Sequence, residues 1–166
     1  DTICTGGSYT LPDGSSVASS GTYPVTLQNQ YGCDSIVATT LTVISVTLNA
    51  TETDVLCNGG ADGSITATAT TGLAPYTYYL IQNGNTISTN ANGNFSALSA
   101  GNYSVNATDN YGCSKQINIT VNEPALLQSS FTQTDVECYD EANGSISITA
   151  TGGTPAYTYS VGTTTN

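Results

Sequence analysis

The 166 residues contain no histidine, no tryptophan and no methionine, and Lys115 is the only cation against twelve Asp and Glu. With a net charge of −11, the chain can build no basic groove. Nucleic acid and anionic lipid surfaces are therefore excluded as partners by repulsion. None of the five cysteines falls in a Cys-x-x-Cys pair, and without histidine this removes the usual zinc and redox motifs. A disulfide framework in an oxidising compartment is the better explanation. Catalytic signatures are missing too: there is no Gly-x-Ser-x-Gly elbow, no phosphate-cradling glycine loop and no carboxylate pair repeated at a defined spacing. The expectation is a protein that is not an enzyme. The sequence opens at Asp1 with no positively charged apolar leader and holds no long apolar run, which reads as a mature or excised piece without direct membrane insertion.

What is abundant points to strands. Charged residues make up only 8% of the chain, while Thr, Ser, Asn and β-branched apolar residues dominate, a composition suited to sheets and turns rather than to a charged disordered tail. Ile65, Ala67 and Ala69 alternate with threonines, Ile117, Ile119 and Val121 alternate with Asn and Thr, and Tyr103, Val105 and Ala107 alternate with polar partners. This period of two predicts half-buried antiparallel strands. Asp13-Gly14, Asp62-Gly63, Asn83-Gly84, Asn92-Gly93 and Asn143-Gly144 predict turns, because these residues tolerate positive φ.

The chain also repeats itself. Thr53-Asp54-Val55-Leu56-Cys57 returns as Thr134-Asp135-Val136-Glu137-Cys138, a shift of 81 residues (138 − 57), and Gly63-Ser64-Ile65 and Tyr76-Thr77-Tyr78 return at the same shift without a gap. A weaker match at a shift of 80 relates Gly21-Thr22-Tyr23-Pro24-Val25 to Gly101-Asn102-Tyr103-Ser104-Val105, and Tyr31-Gly32-Cys33 to Tyr111-Gly112-Cys113. Cys4-Thr5-Gly6-Gly7 echoes Cys57-Asn58-Gly59-Gly60. The modules read as 1–43, a short disulfide-closed β module, 44–124, a full repeat, and 125–166, an incomplete second copy. Inward apolar positions switch from odd (Val37, Leu41, Val43) to even (Ile44, Val46, Leu48) at the first boundary, which calls for a bulge or a change of sheet. Glu123-Pro124 interrupts the ladder at the second. Modules this small bury little apolar surface and call for a covalent staple. The predicted fold class is all-β: tandem small immunoglobulin-like antiparallel β-sandwich modules, disulfide-stapled.

Gly63-Ser64-Ile65, Pro75-Tyr76-Thr77-Tyr78, Ala100-Gly101-Asn102-Tyr103, Thr108-Asp109-Asn110-Tyr111-Gly112-Cys113 and Glu123-Pro124 together resemble the SprB-type repeat of Bacteroidetes gliding-motility adhesins and related surface proteins. The first module resembles another short repeat of such proteins through Ile3-Cys4, Ser8-Tyr9-Thr10-Leu11-Pro12-Asp13-Gly14 and Gly32-Cys33-Asp34-Ser35. The resemblance implies export to the cell surface and a role in adhesion or filaments. It supplies no catalytic residue.

Within the module frame, Cys4 is expected to pair with Cys33 and Cys57 with Cys113, each pair running from a module's first strand to the residue after its Tyr-Gly. That leaves Cys138 unpaired by truncation, with an intermolecular link as the alternative. Acidic residues, among them Asp54, Asp62, Asp135 and Asp140, could hold calcium between modules, but no EF-hand or nonapeptide spacing is present and Asp62 becomes Asn143 in the next copy, as a turn residue would. No cofactor is otherwise implied. Eleven tyrosines raise the question of a sugar platform. The competing reading puts Tyr76, Tyr78 and Tyr103 in the core and Tyr31 and Tyr111 over the disulfides. Asp1-Thr2-Ile3 and Asp34-Ser35-Ile36 resemble the Asp-(Ser/Thr)-aliphatic acceptor of Bacteroidetes O-glycosylation, which makes Thr2 and Ser35 the expected sugar sites. The Asn-x-Ser/Thr triplets are what a chain so rich in these residues produces by composition.

These readings converge on an extracellular structural or adhesive rod, stalk or filament, with neighbouring modules or identical subunits as partners. The rival makes the modules lectin-like, binding surface polysaccharide through loops such as 82–94.

Overall fold

A computed structural model describes residues 1–160 and 162. The end of the third module, residue 161 and residues 163–166, lies outside them. Among the described residues there is no helix, hence none long and apolar enough to cross a membrane. The strands are β1 Thr2–Cys4, β2 Tyr9–Thr10, β3 Ser16–Val17, β4 Gly21–Gln28, β5 Asp34–Ile44, β6 Leu48–Thr53, β7 Gly63–Ala69, β8 Thr77–Gln82, β9 Asn85–Asn90, β10 Asn94–Leu98, β11 Gly101–Thr108, β12 Ser114–Val121, β13 Gln128–Thr134 and β14 Ser145–Thr151. They form sheets in the orders β1-β5-β4, β10-β7-β6, β12-β11-β8-β9, β13-β14 and β2-β3. The all-β expectation holds, with one departure from a purely antiparallel arrangement. Strand β1 runs parallel to β5, with Thr2 opposite Thr42 and Cys4 opposite Ile44, so the chain start lies along the end of the long β4–β5 hairpin.

The chain divides into two compact units. The first comprises Asp1–Glu52, Ile65–Phe95 and Asn102–Ile119. Its interior is built by the alternation read from the sequence: Ile65 and Ala67 on β7, Tyr78 and Leu80 on β8, and Tyr103, Val105 and Ala107 on β11 are buried, with polar neighbours turned outward. Leu41, Val46 and Leu48 are buried on either side of the switch in parity, where β5 ends and the chain enters a different sheet, whereas Val37 stays exposed. The second unit comprises Thr53–Ser64, Ser96–Gly101 and Thr120–Asn166, and its buried apolar side chains are Val55, Leu98 and Val121.

Two of the glycine turns serve different physical ends. Asn83 and Gly84, both with positive φ, close the β8–β9 hairpin between paired Gln82 and Asn85, as a two-residue loop of this composition requires. Asp62-Gly63, expected as a turn of the same kind, is not one: Gly63 is the buried first residue of β7, without positive φ. Glycine stands there for space, since a Cβ would lie 2.7 Å from Val121 Cγ1 and 2.8 Å from the Leu98 carbonyl oxygen. At the repeat-equivalent Gly144 the nearest atoms are 3.2 Å away. Gly63→Ala is therefore expected to destabilise the fold by about 1–3 kcal/mol, and Gly144→Ala by clearly less. Denaturant unfolding of the two variants checks the difference, and equal losses would refute the steric account.

Candidate functional site: the cysteine turns and loops

Two kinds of local structure carry the cysteines, and each recurs. In the first, Cys4, Cys57 and Cys138 open a tight turn. Gly7 N–H donates to the Cys4 carbonyl at 2.9 Å, Gly60 N–H to the Cys57 carbonyl at 3.0 Å, and Glu141 N–H to the Cys138 carbonyl at 3.2 Å. The third residue of each turn, Gly6, Gly59 or Asp140, has positive φ. The carboxylate of Asp62 accepts the N–H of Leu56 at 3.2 Å, and the Asn143 side-chain oxygen accepts the N–H of Glu137 at 3.1 Å. Turn-building thus accounts for the exchange of Asp for Asn between copies.

In the second kind, an Asx side chain organises the loop that ends in Tyr-Gly-Cys. Asp109 Oδ1 accepts the N–H of Tyr111 and of Cys113, both at 2.9 Å, and Oδ2 accepts the N–H of Leu73 at 3.0 Å. Asp109 N–H donates to the Cys113 carbonyl at 2.9 Å. Asn29 reproduces this in the first segment, its Oδ1 accepting from Tyr31 at 2.8 Å and Cys33 at 3.1 Å while its own N–H donates to the Cys33 carbonyl at 3.1 Å. Asp109 is buried, 5% exposed, and its three accepted bonds compensate its desolvation. The sequence reading missed both organisers, although the spacing Asp/Asn-x-Tyr-Gly-Cys at a shift of 80 was their signal.

The disulfide joins one motif of each kind. Cys4 is bonded to Cys113, with S–S 2.05 Å and Cα–Cα 5.2 Å, and Cys33, Cys57 and Cys138 are free and exposed. This corrects the expected pairing of Cys4 with Cys33 and of Cys57 with Cys113, and the cause is strand length. Cys4 is opposite Ile44 at the end of β5, whereas Cys33 precedes its first residue. At about 3.3 Å per residue the two lie roughly 36 Å apart, and a disulfide needs Cα atoms within about 7 Å. The Cys57 turn is tied in the same way to the far end of β12. Val55 N–H donates to the Asn122 carbonyl at 2.9 Å, Gly59 N–H to Glu123 Oε2 at 2.6 Å, and Asn58 Nδ2 to the Pro124 carbonyl at 3.0 Å. Cys113 immediately precedes the first residue of that strand.

The remaining sequence-derived sites take other positions. Thr2 is half-buried on β1, and Ser35 is exposed on β5 opposite Leu27. Asp54 Oδ1 accepts the backbone N–H of Asn122 at 2.7 Å, and Asp135 accepts from Gln133 Nε2 at 3.4 Å. Among the described residues no three His, Cys, Asp or Glu side chains come together as a metal-binding group. Asp13 caps an exposed turn, and the Ser15 hydroxyl at 2.6 Å, helped by the Ser15 N–H, holds its carboxyl below the ordinary value. Tyr78 and Tyr103 are buried as expected, and the Tyr76 ring lies 6.4 Å from that of Tyr78. Tyr31 and Tyr111 do not cover a disulfide: they are 81% and 57% exposed, because the Asx loops turn the side chains outward. Residues 82–94, the proposed sugar loop, form the β8–β9 turn and edge strand β9.

Residues 49–85 and 130–166 match the family model of the SprB repeat. The chain carries SprB-type repeats. The two matched stretches begin at equivalent positions of the 81-residue shift read from the sequence, so the family match and the internal repeat describe the same unit. SprB repeats are structural units of cell-surface proteins rather than enzymatic ones. No curated protein and no solved structure matches the chain.

The loop geometry makes a graded expectation for the loop that ends at Cys113. Asp109→Ala leaves three N–H groups without their acceptor and should cost about 2–4 kcal/mol of stability. Asp109→Asn, the residue that position 29 already carries, keeps both Oδ1 bonds and loses only the one to Leu73, so its cost should be clearly smaller. Denaturant unfolding of both variants measures this, and an Asn variant as damaged as the Ala variant would show that Oδ1 does not organise the loop.

Proposed function

We propose that this chain is a mechanical element of a bacterial cell surface: a non-enzymatic rod, stalk or filament built of consecutive β modules that spaces or transmits force to an adhesive contact. The observation that supports this most is the span of the disulfide. Cys4 and Cys113 are separated by 109 residues, so one covalent bond closes a loop that runs from the first strand of the short module almost to the last strand of the SprB-type repeat. In the chain-entropy treatment a loop of that size stabilises the fold by about 5 kcal/mol, comparable with the whole stability of a small domain. Placed there, the bond also shortens the path that a stretching force follows.

The rival reading, a module that binds polysaccharide, draws no support from the tyrosines. Those on the inner faces are buried, and the exposed ones sit singly on separate loops. The export that the SprB resemblance implies supplies the oxidising surroundings a stable disulfide needs, and sugar at Thr2 or Ser35 would fit the same location.

The mechanical reading has a direct test. Pulling the chain by its ends in the absence of reductant should lengthen only the residues outside the loop, chiefly those after Cys113. Reductant should add a release of up to about 360–390 Å, the extended length of the 109 residues between the cysteines. Single-molecule force spectroscopy in both conditions reads this, and identical lengths would mean that the disulfide carries no load.

A further inference from the structure

Glycine directly follows asparagine four times in the sequence, at Asn58-Gly59, Asn83-Gly84, Asn92-Gly93 and Asn143-Gly144. At such a step the backbone nitrogen of the glycine can attack the side-chain carbonyl carbon of the asparagine, because glycine has no Cβ to obstruct the approach and its backbone reaches conformations closed to other residues. All four asparagines are exposed, so access to water does not distinguish them. Hydrogen bonding does.

The reaction requires the asparagine amide to rotate toward its own main chain and the glycine N–H to leave any acceptor it has. Three of the four steps hold one or both groups. Asn58 Nδ2 donates to the Pro124 carbonyl at 3.0 Å, and Gly59 N–H donates to Glu123 Oε2 at 2.6 Å. Asn92 Oδ1 accepts the N–H of Asn94 at 3.0 Å, Gly93 N–H donates to Asn90 Oδ1 at 2.7 Å, and the Gly93 carbonyl accepts the N–H of Ala67 at 2.8 Å. Asn143 is held at both ends of its amide, with Oδ1 accepting the N–H of Glu137 at 3.1 Å and Nδ2 donating to Glu141 Oε2 at 2.9 Å.

Asn83 is different. With Gly84 it forms the two-residue turn of the β8–β9 hairpin, with φ values of 51° and 78°, and β9 is the edge strand of its sheet. Among the described residues the Asn83 amide group and the Gly84 N–H make no hydrogen bond. Only the Asn83 backbone carbonyl is engaged, accepting from Asn85 Nδ2 at 3.3 Å. A Cβ added at Gly84 would meet no atom within 4 Å, so nothing packed against the turn keeps it from opening.

We propose that Asn83 is a site of spontaneous deamidation, and that it is the Asn-Gly step at which the folded chain permits this reaction. Gly84 N gives up its proton to base and bonds to Asn83 Cγ, while the bond from Cγ to the amide nitrogen breaks and that nitrogen leaves as ammonia. The cyclic imide so formed is opened by water at either carbonyl, leaving aspartate or isoaspartate. One water is consumed and one ammonia released, with no oxidation or reduction. The product adds a negative charge to a chain already at −11. Its isoaspartate form also inserts a methylene into the main chain between Gln82 and Asn85, whose pairing depends on a turn of two residues.

The test incubates the full chain in mildly alkaline buffer at physiological temperature and follows the four steps by peptide mapping with mass spectrometry. Asn83 is expected to deamidate at least about fivefold faster than Asn58, Asn92 or Asn143, the factor that one net hydrogen bond is worth. In urea with reductant, where the holding hydrogen bonds are lost, the four should react at similar rates. A folded chain in which Asn83 reacts no faster than the other three would overturn the proposal. So would a lead for Asn83 that persists undiminished in urea, since local sequence rather than the fold would then set the order.

Discussion

Each residue of an extended strand advances the chain by about 3.3 Å, so β5 and β12 hold their two ends far apart, and the cysteines of the two segments gather at those ends. Cys33 precedes β5, and the Cys4 turn is anchored at the end of that strand. Cys113 precedes β12, and the Cys57 turn is anchored past its end. A segment therefore cannot close on itself through its own pair of cysteines. The first segment is instead closed by a loop of the following one, where Cys113 meets Cys4. From this one constraint follows the covalent continuity from the first segment into the one that follows it.

Around that bond the fold relies on short-range hydrogen bonding rather than on charge. With a single lysine in the sequence, ion pairs contribute little, and carboxylates and carboxamides act instead as acceptors for backbone N–H groups: Asp109, Asn29, Asp54, Asp62 and Asn143 each hold a loop or turn this way. Among the described residues no buried side-chain nitrogen or oxygen is left without a partner. The acidity of the chain is thus partly structural, which weakens the case for reading its carboxylates as calcium ligands.

Much of this was legible in the residues. The alternation of Ile65, Ala67 and of Tyr103, Val105, Ala107 placed strands correctly because one face of each is buried. Asn83-Gly84 announced its hairpin because that turn needs two positive φ values. The repeat at a shift of 81 coincides with the SprB matches. What escaped the sequence depends on position in three dimensions. The cysteine pairing was misread because contiguity along the chain was taken as proximity, while β1 lies parallel along the end of β5, a pairing no local pattern encodes. Gly63 was misread as a turn because a glycine required by Val121 and Leu98 looks the same, in sequence, as one required by positive φ. Tyr31 and Tyr111 point outward because Asx loops, set by Asn29 and Asp109, fix their direction.

The covalent link between the first segment and the loop ending at Cys113 is the central claim, and non-reducing peptide mapping of the intact chain tests it most directly. The account predicts one disulfide-linked peptide pair, containing Cys4 and Cys113, in monomer alkylated before digestion, with Cys33 and Cys57 recovered as alkylated thiols. Recovery of Cys4 joined to Cys33, or of Cys57 joined to Cys113, would contradict it.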